Sequence, residues 1–480
     1  MKKSQSELPL FHTLSQHVKS KPSSFHVPGH KNGLIFPSQG SNVFQSILPY
    51  DLTEITGLDD LHHAESAIKE AQDLTAELYG TDATFFLVGG TTVGNLTMIL
   101  SVCKPGDTII VQRNCHKSIM NAIELAGAKP VFVTPVFEEE TGRYSIITES
   151  DIQEALDTNP HSKAVVLTYP DYFGHTYNIQ PIIQYAHRYD VPVLVDEAHG
   201  AHFILGHPFP PSAVSLGADI VVQSAHKMLP AMTMASFLHI QSSFVSKETI
   251  RHYLYVLQSS SPSYPLMASL DLARYFLAHL SKEEVKEIVQ HVGAIRAKLN
   301  EASLWNVLPA KKQVDDPLKI TLHMKSGMDA KEVMYVFERE NVYPELATTN
   351  QLLLISGLGV NKEGLKRIHS ILNRSSHILK SKRGHDKIEI SNFNHSVISP
   401  LPYSFMELQE MKDNWIPWEQ AIGKIAGETI TPYPPGIPIL IKGERILSKH
   451  KETIMAYIKM GQHIQYESED LQKGLRIIFE

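Results

Sequence analysis

Two side chains in this chain have the types and placement for covalent chemistry. Lys227 ends the stretch Ser224-Ala225-His226-Lys227, which follows the apolar run Ala218-Asp219-Ile220-Val221-Val222 and precedes a turn at Leu229-Pro230. Asp196 ends a second apolar run, Val193-Leu194-Val195, and opens Asp196-Glu197-Ala198-His199-Gly200-Ala201-His202. A lysine amine condenses with an aldehyde once it has lost its proton, and burial or neighbouring cations favour that loss. A carboxylate can hold a pyridine nitrogen protonated, so that the ring accepts electrons. Alone, Lys227 reads as a polar residue after a strand and Asp196 as a helix cap. The pair is what carries the chemical reading.

The letters Asp-Glu-Ala-His match a helicase box. That motif needs a phosphate loop, and no G-x-x-x-x-G-K-[ST] occurs here. A metal site built on His199 and His202 lacks both an HExxH helix and a matched set of carboxylates. An acid facing a cationic ring nitrogen fits the strand-end position best. Gly89-Gly90-Thr91-Thr92-Val93-Gly94-Asn95 lies where a strand passes into a helix. It reads equally as a phosphate cradle, with hydroxyls and free helix amides, or as an ordinary glycine-rich turn. His116, in Arg113-Asn114-Cys115-His116-Lys117-Ser118, could stack on a flat heteroaromatic ring, but alone it reads as a cap or surface residue. Ser224 could reach a phosphate, and His226 adjoins the amine. The serines of Ser259-Ser260-Ser261-Pro262-Ser263-Tyr264 read first as a capping turn. Taken together, the lysine, the acid and the glycine-threonine turn fit pyridoxal phosphate.

These residues must be positioned by strands. Short β-branched runs over 84–88, 108–111, 131–133, 164–167, 193–195, 220–222 and 236–240 alternate with helical patterns over 62–79, 94–102, 117–125, 149–156 and 180–189. That alternation predicts a mostly parallel sheet covered on both faces, with ligands at the carboxyl ends of the strands. A long helix is expected over 282–299. A smaller unit follows, with strands at 320–324 and 352–356 around a helix at 330–341. The expected organisation is an N-terminal arm (1–35), a large cofactor-binding domain (36–300), a small domain (301–380), a basic linker (381–400) and a C-terminal domain (401–480). The last contains the proline-rich run 432–438, which forbids helix there.

The bulk properties are those of an ordinary globular protein. The chain has 480 residues, 42% hydrophobic and 20% charged, with a formal net charge of −7. That balance speaks against nucleic acid as a partner and mildly favours a cationic ligand. Two cysteines, Cys103 and Cys115, exclude a disulfide framework and fit a reducing compartment. No signal peptide or membrane-spanning run is found, so a cytoplasmic protein without a membrane partner is expected.

The ordered set of motifs resembles the Orn/Lys/Arg decarboxylases. The match runs through Pro28-Gly29-His30-Lys31, Gly57-Leu58-Asp59-Asp60-Leu61, Gly90-Thr91-Thr92, Arg113, Cys115-His116-Lys117-Ser118 and Thr168-Tyr169-Pro170. It continues with Asp196-Glu197-Ala198-His199, Ser224-Ala225-His226-Lys227, Ser261-Pro262-Ser263-Tyr264 and the run 432–438. The resemblance implies the pyridoxal-phosphate fold type I, like that of aspartate aminotransferase, and decarboxylation of arginine, lysine or ornithine to an amine and carbon dioxide. It implies that Lys227 carries the cofactor, Asp196 faces its ring nitrogen and His116 stacks on the ring. Gly90, Thr91, Thr92 and Ser224 would hold the phosphate end, His226 would lie near the reactive end, and His199 would also bind the cofactor. It implies a homodimer or tetramer sharing its active sites. Ser260 and Ser261 and the loop of Asp59 and Asp60 would then serve the neighbouring subunit, and Glu444 and both aspartates would lie near the substrate. No metal is implied. A short form without the wing domain with which long members begin is expected. Met234 stands where many of those carry glutamine, and Met228 where short members often have threonine. An aminotransferase or another enzyme of the same fold, and a non-catalytic cofactor-binding paralogue, are the alternatives.

Overall fold

The computed structural model describes residues 4–325, 327–378, 397–432, 437–461 and 463–479. Most of the expected linker, 381–396, and the centre of the proline-rich run, 433–436, lie outside them.

The centre is an eight-stranded sheet. Its strands are β1 (Ala83–Leu87), β2 (Thr108–Gln112), β3 (Lys129–Val133), β4 (Val165–Thr168), β5 (Val193–Asp196), β6 (Ile220–Gln223), β7 (Ser236–Ile240) and β8 (Ile398–Pro400). They lie in the order β1-β7-β6-β5-β4-β2-β3-β8. The five strands from β6 to β3 are parallel, and β7 runs against both β6 and β1. β8 pairs antiparallel with β3, so the last residues of the expected linker belong to the sheet edge.

Alternation along the strands explains why both faces are covered. Ile110, Val165, Leu167, Val193, Val195 and Val221 enter one core, which extends to the helix Lys282–Leu299 and the small sheet. Ile109, Val111, Val166, Leu194, Ile220 and Val222 enter the other, beneath the helices Gly90–Leu100 and Lys117–Ala126. The register places Thr168 opposite Asp196, and Asp196 opposite Val222. Chain leaving β5 and β6 therefore emerges at one edge.

The small unit is an antiparallel sheet of Trp305–Val307, Lys319–Met324, Gln351–Ile355 and Leu346–Ala347, with helix Ala330–Arg339 packed on it. Towards the C-terminus, Asp413–Pro417, Gly474–Ile478 and Ile425–Ala426 form a third sheet. The N-terminal arm is anchored through helix Pro9–Lys19, which buries Leu10 and Leu14. Asp271 accepts the amides of Leu10 and Phe11, and its ion-pair partner Arg274 donates to the carbonyls of Gln5 and Glu7.

The helix expected over 62–79 begins only at Ala67. Asp59 is the reason. Its carboxylate accepts the amides of Glu65, Ser66, Ile68 and Lys69, which would otherwise be unsatisfied at the helix start. Asp60 caps the single 3-10 turn Leu61–His63 by accepting from the His62 amide.

Helix Gly90–Leu100 lies unusually close to the sheet at Gly94. A Cβ there would fall 2.3 Å from Val222 Cγ1 and 2.9 Å from Leu87 Cδ1. Gly94→Ala should cost about 1–3 kcal/mol in urea unfolding, as overpacking does. Unchanged stability would show that the helix can lift off the sheet freely.

Candidate active site

β5 and β6 deliver the two residues first singled out. Asp196 is buried where β5 ends. Its Oδ2 accepts from Asn95 Nδ2 at 2.8 Å and its Oδ1 from the Ala198 amide at 3.1 Å. Asn95 Nδ2 also donates to Ser118 Oγ, which lies 2.8 Å from His116 Nδ1. One polar chain therefore runs from Asp196 to His116 across three elements. Both donors to Asp196 are neutral, and among the described residues it forms no ion pair. A buried carboxylate in that state is costly, and a cation at its free edge would offset the cost.

After β6, Ser224 caps the short helix Ala225–Met228, which presents His226 and Lys227. Lys227 is exposed. Its amine sits among protein groups, with desolvation lowering its pKa against the opposing pull of Asp196 and Glu345. Burial also lowers His116, with Lys227 adding to the effect and Asp196 opposing it. A neutral ring suits stacking. His226 is lowered chiefly by burial, and its Nδ1 lies 3.0 Å from the Ala235 carbonyl.

The glycine-threonine turn meets Ser224. Thr91 Oγ1 and Ser224 Oγ are 2.5 Å apart, and both residues are buried. Gly90 takes φ +73°, which favours glycine, and its amide donates to the Met234 carbonyl. Met234 is itself held at φ +77°, so its backbone is what contacts the turn. Thr92 is exposed, and no side-chain hydrogen bond caps the helix that starts at Gly90. Two hydroxyls and uncapped amides at a helix N-terminus suit a phosphate. Phosphate donors at one point, a buried acid that forms no ion pair among the described residues at another and a lysine with a lowered pKa fit the three ends of pyridoxal phosphate.

Sequence reasoning named His199 but missed Lys319, Tyr172 and Glu345 around it. His199 Nε2 lies 3.1 Å from Lys227 Nζ, and its Nδ1 lies 2.9 Å from Nζ of Lys319, a buried residue at the start of the small sheet's strand Lys319–Met324. The Tyr172 ring lies edge-on to His199, and its hydroxyl donates to Glu345 at 2.6 Å. The available signal was a lysine within the apolar run Leu318-Lys319-Ile320. His202 turns away from this group towards Asp316, at 3.3 Å. Among the described residues no group of three or more metal-ligating side chains gathers.

The three expected substrate contacts each have partners within the chain. Asp59 and Asp60 are occupied as caps. Glu444 is buried in a two-pronged ion pair, with Arg113 Nη1 at 2.8 Å from Oε1 and Nη2 at 2.9 Å from Oε2, and it also accepts the Ile441 amide. Its carboxylate ties the C-terminal unit to the end of β2. Ser260 and Ser261 lie on an exposed turn, and no hydrogen bond among the described residues joins them to Lys227.

The sheet defines the class of fold, fold type I of the pyridoxal-phosphate enzymes. Residues 8–364 match the Orn/Lys/Arg decarboxylase major domain and residues 390–468 the C-terminal domain of the same family. The chain belongs to the Orn/Lys/Arg decarboxylase family, whose members are carboxy-lyases. It is 45% identical over 479 residues to the uncharacterized protein YaaO of Bacillus subtilis, covering 98% of each chain. It is 35% identical over 490 residues to an arginine decarboxylase of Bacillus anthracis, covering 99% of this chain and 98% of that one. The Francisella novicida lysine decarboxylase LdcF superposes with a TM-score of 0.83 at 22% identity, covering 98% of this chain and 81% of that one. No helix among the described residues is long and apolar enough to cross a membrane.

The Arg113–Glu444 pair can be tested directly. Arg113→Met strands a buried carboxylate and should destabilise the fold by about 3–5 kcal/mol, read by urea unfolding. Adding Glu444→Leu should recover most of that loss. A double variant no more stable than the single one would show that Glu444 has another role.

Proposed function

We propose that this protein decarboxylates a basic L-amino acid with pyridoxal phosphate, and that arginine is its first substrate. The observation that carries the reading is the convergence of Lys227 and the ion-pair-free Asp196 at one sheet edge. Full-length relatives at 35% identity, named arginine decarboxylases, support arginine over lysine and ornithine.

When bound, pyridoxal phosphate supplies an electron sink for the bond broken at the substrate's α-carbon. Lys227 would hold its aldehyde, Asp196 its ring nitrogen and His116 its ring face. Thr91, Thr92, Ser224 and the amides at the start of helix Gly90–Leu100 would hold the phosphate. Asp196, fixed by Asn95, would keep the proton on that ring nitrogen. Lys227 or His226 returns a proton to the α-carbon after carbon dioxide leaves. We keep the reading of an oligomer that shares its sites, with Ser260 and Ser261 serving the neighbouring subunit.

Incubation with arginine, lysine and ornithine separately should release carbon dioxide and the matching amine, fastest from arginine. Lys227→Ala should make no product, and Asp196→Ala should lower kcat by about 100- to 1,000-fold. Keto acid in place of amine, or wild-type turnover by Lys227→Ala, would overturn the proposal.

A further inference from the structure

Glu345 is an acid near the reactive amine that no cation of the chain neutralises. It stands just before the strand Leu346–Ala347 of the small sheet and is exposed, with its amide donating to the Leu353 carbonyl. Among the described residues its carboxylate forms no ion pair, and its partner is the Tyr172 hydroxyl, which donates to Oε1 at 2.6 Å. The neighbouring acids are engaged within the chain. Asp171 accepts the Ser145 hydroxyl and the amides of Phe173 and His175. Asp316 faces His202, and Glu444 is paired with Arg113. Asp196 is taken by the ring nitrogen in the function proposed above. Glu345 is the acid left for a ligand's cation.

An exposed glutamate is ordinarily too mobile to hold a ligand in one place. Tyr172 removes that freedom, because its loop is tied to the unit that carries Glu345. The Asp316 amide donates to the Gly174 carbonyl, the Thr176 amide donates to the Val314 carbonyl, and His175 Nδ1 lies 2.5 Å from Asp315 Oδ1. Gly174 takes φ +85°, and a Cβ there would fall 2.6 Å from Lys319 Cγ, so the loop sits directly on the small sheet.

Tyr172 also measures the distance to the reactive end. Its ring lies edge-on to His199, and the ring centre is 5.9 Å from Lys227 Nζ. The hydroxyl oxygen is about 2.8 Å beyond the centre, two bond lengths. Glu345 Oε1 is 2.6 Å farther, so the amine and the carboxylate are at most about 11 Å apart. An extended ornithine, lysine or arginine spans about 9–12 Å from its α-nitrogen to an acceptor at its far end. A substrate whose α-amine replaces that of Lys227 can therefore reach Glu345.

We propose that Glu345 is the specificity residue that meets the distal cation of the substrate, and that Tyr172 is its positioning residue, holding Oε1 and leaving Oε2 to the cation. This deepens the decarboxylase reading and rests on it. The contact is an ion pair with a hydrogen bond, and it separates a cationic side chain from a neutral one of the same length.

Calorimetric titration of the pyridoxal-phosphate-saturated full chain with 4-guanidinobutylamine and with its neutral counterpart 4-ureidobutylamine tests it without turnover. The wild type should bind the guanidino ligand the tighter of the two. Glu345→Gln, a change at an exposed position, should weaken the guanidino ligand about 10- to 100-fold and the ureido ligand no more than about twofold. Glu345→Asp should recover part of that loss. Tyr172→Phe, which keeps the ring, should cost the guanidino ligand about three- to tenfold. Wild-type affinity in Glu345→Gln, equal weakening of both ligands, or an unchanged guanidino affinity in a folded Tyr172→Phe overturns the proposal. The expected pattern in a chain that releases no carbon dioxide from arginine, lysine or ornithine would sink the decarboxylase reading alone. Decarboxylation without the pattern would sink this inference alone.

Discussion

A buried carboxylate that forms no ion pair among the described residues is the constraint on which the rest of the site depends. Asp196 sits at the end of a central strand, held by a side-chain amide and a backbone amide, neither of which brings positive charge. Such a group is tolerated where something of opposite sign completes it. The parallel register of β5 and β6 brings the chain carrying Lys227 out beside it. The close seat of Gly94 on Val222 keeps Asn95 within reach of the acid. Strand pairing, helix packing and charge thus converge on one place.

The site also draws on both units. The large sheet contributes Lys227 and His199, and the small unit contributes Lys319 from beneath. Histidines lining the site are lowered by burial, so the rings offer lone pairs and single N–H groups instead of charge. Charge is left to the lysines and the acids, where it acts on reacting atoms. The small unit therefore reaches the site through Lys319 as well as packing on the large sheet.

Local pattern made much of this legible. The β-branched runs fall on strands that are buried on both faces, and the long helix over 282–299 has a capping box of Ser281 and Glu284 that marks its start. Lys227 and Asp196 were visible because strand ends are where parallel sheets place chemistry. What could not be read depends on distant contacts. Glu444 lies 331 residues from the arginine that neutralises it. Asp59 looked like free acid in a polar loop until the chain folded its carboxylate back onto a helix start. β8 is a three-residue edge strand beside a basic stretch, too short to carry a period. Lys319 resembles a flaw in an apolar strand, and only its opposition to His199 gives it meaning.

The central claim is a covalent bond between one amine and one aldehyde. Borohydride reduction of the purified, pyridoxal-phosphate-saturated chain, followed by peptide mapping, tests it most directly. The account expects a single phosphopyridoxyl adduct, on the peptide containing Lys227 and at that residue. An adduct elsewhere, or none in a sample shown to be folded, would contradict it.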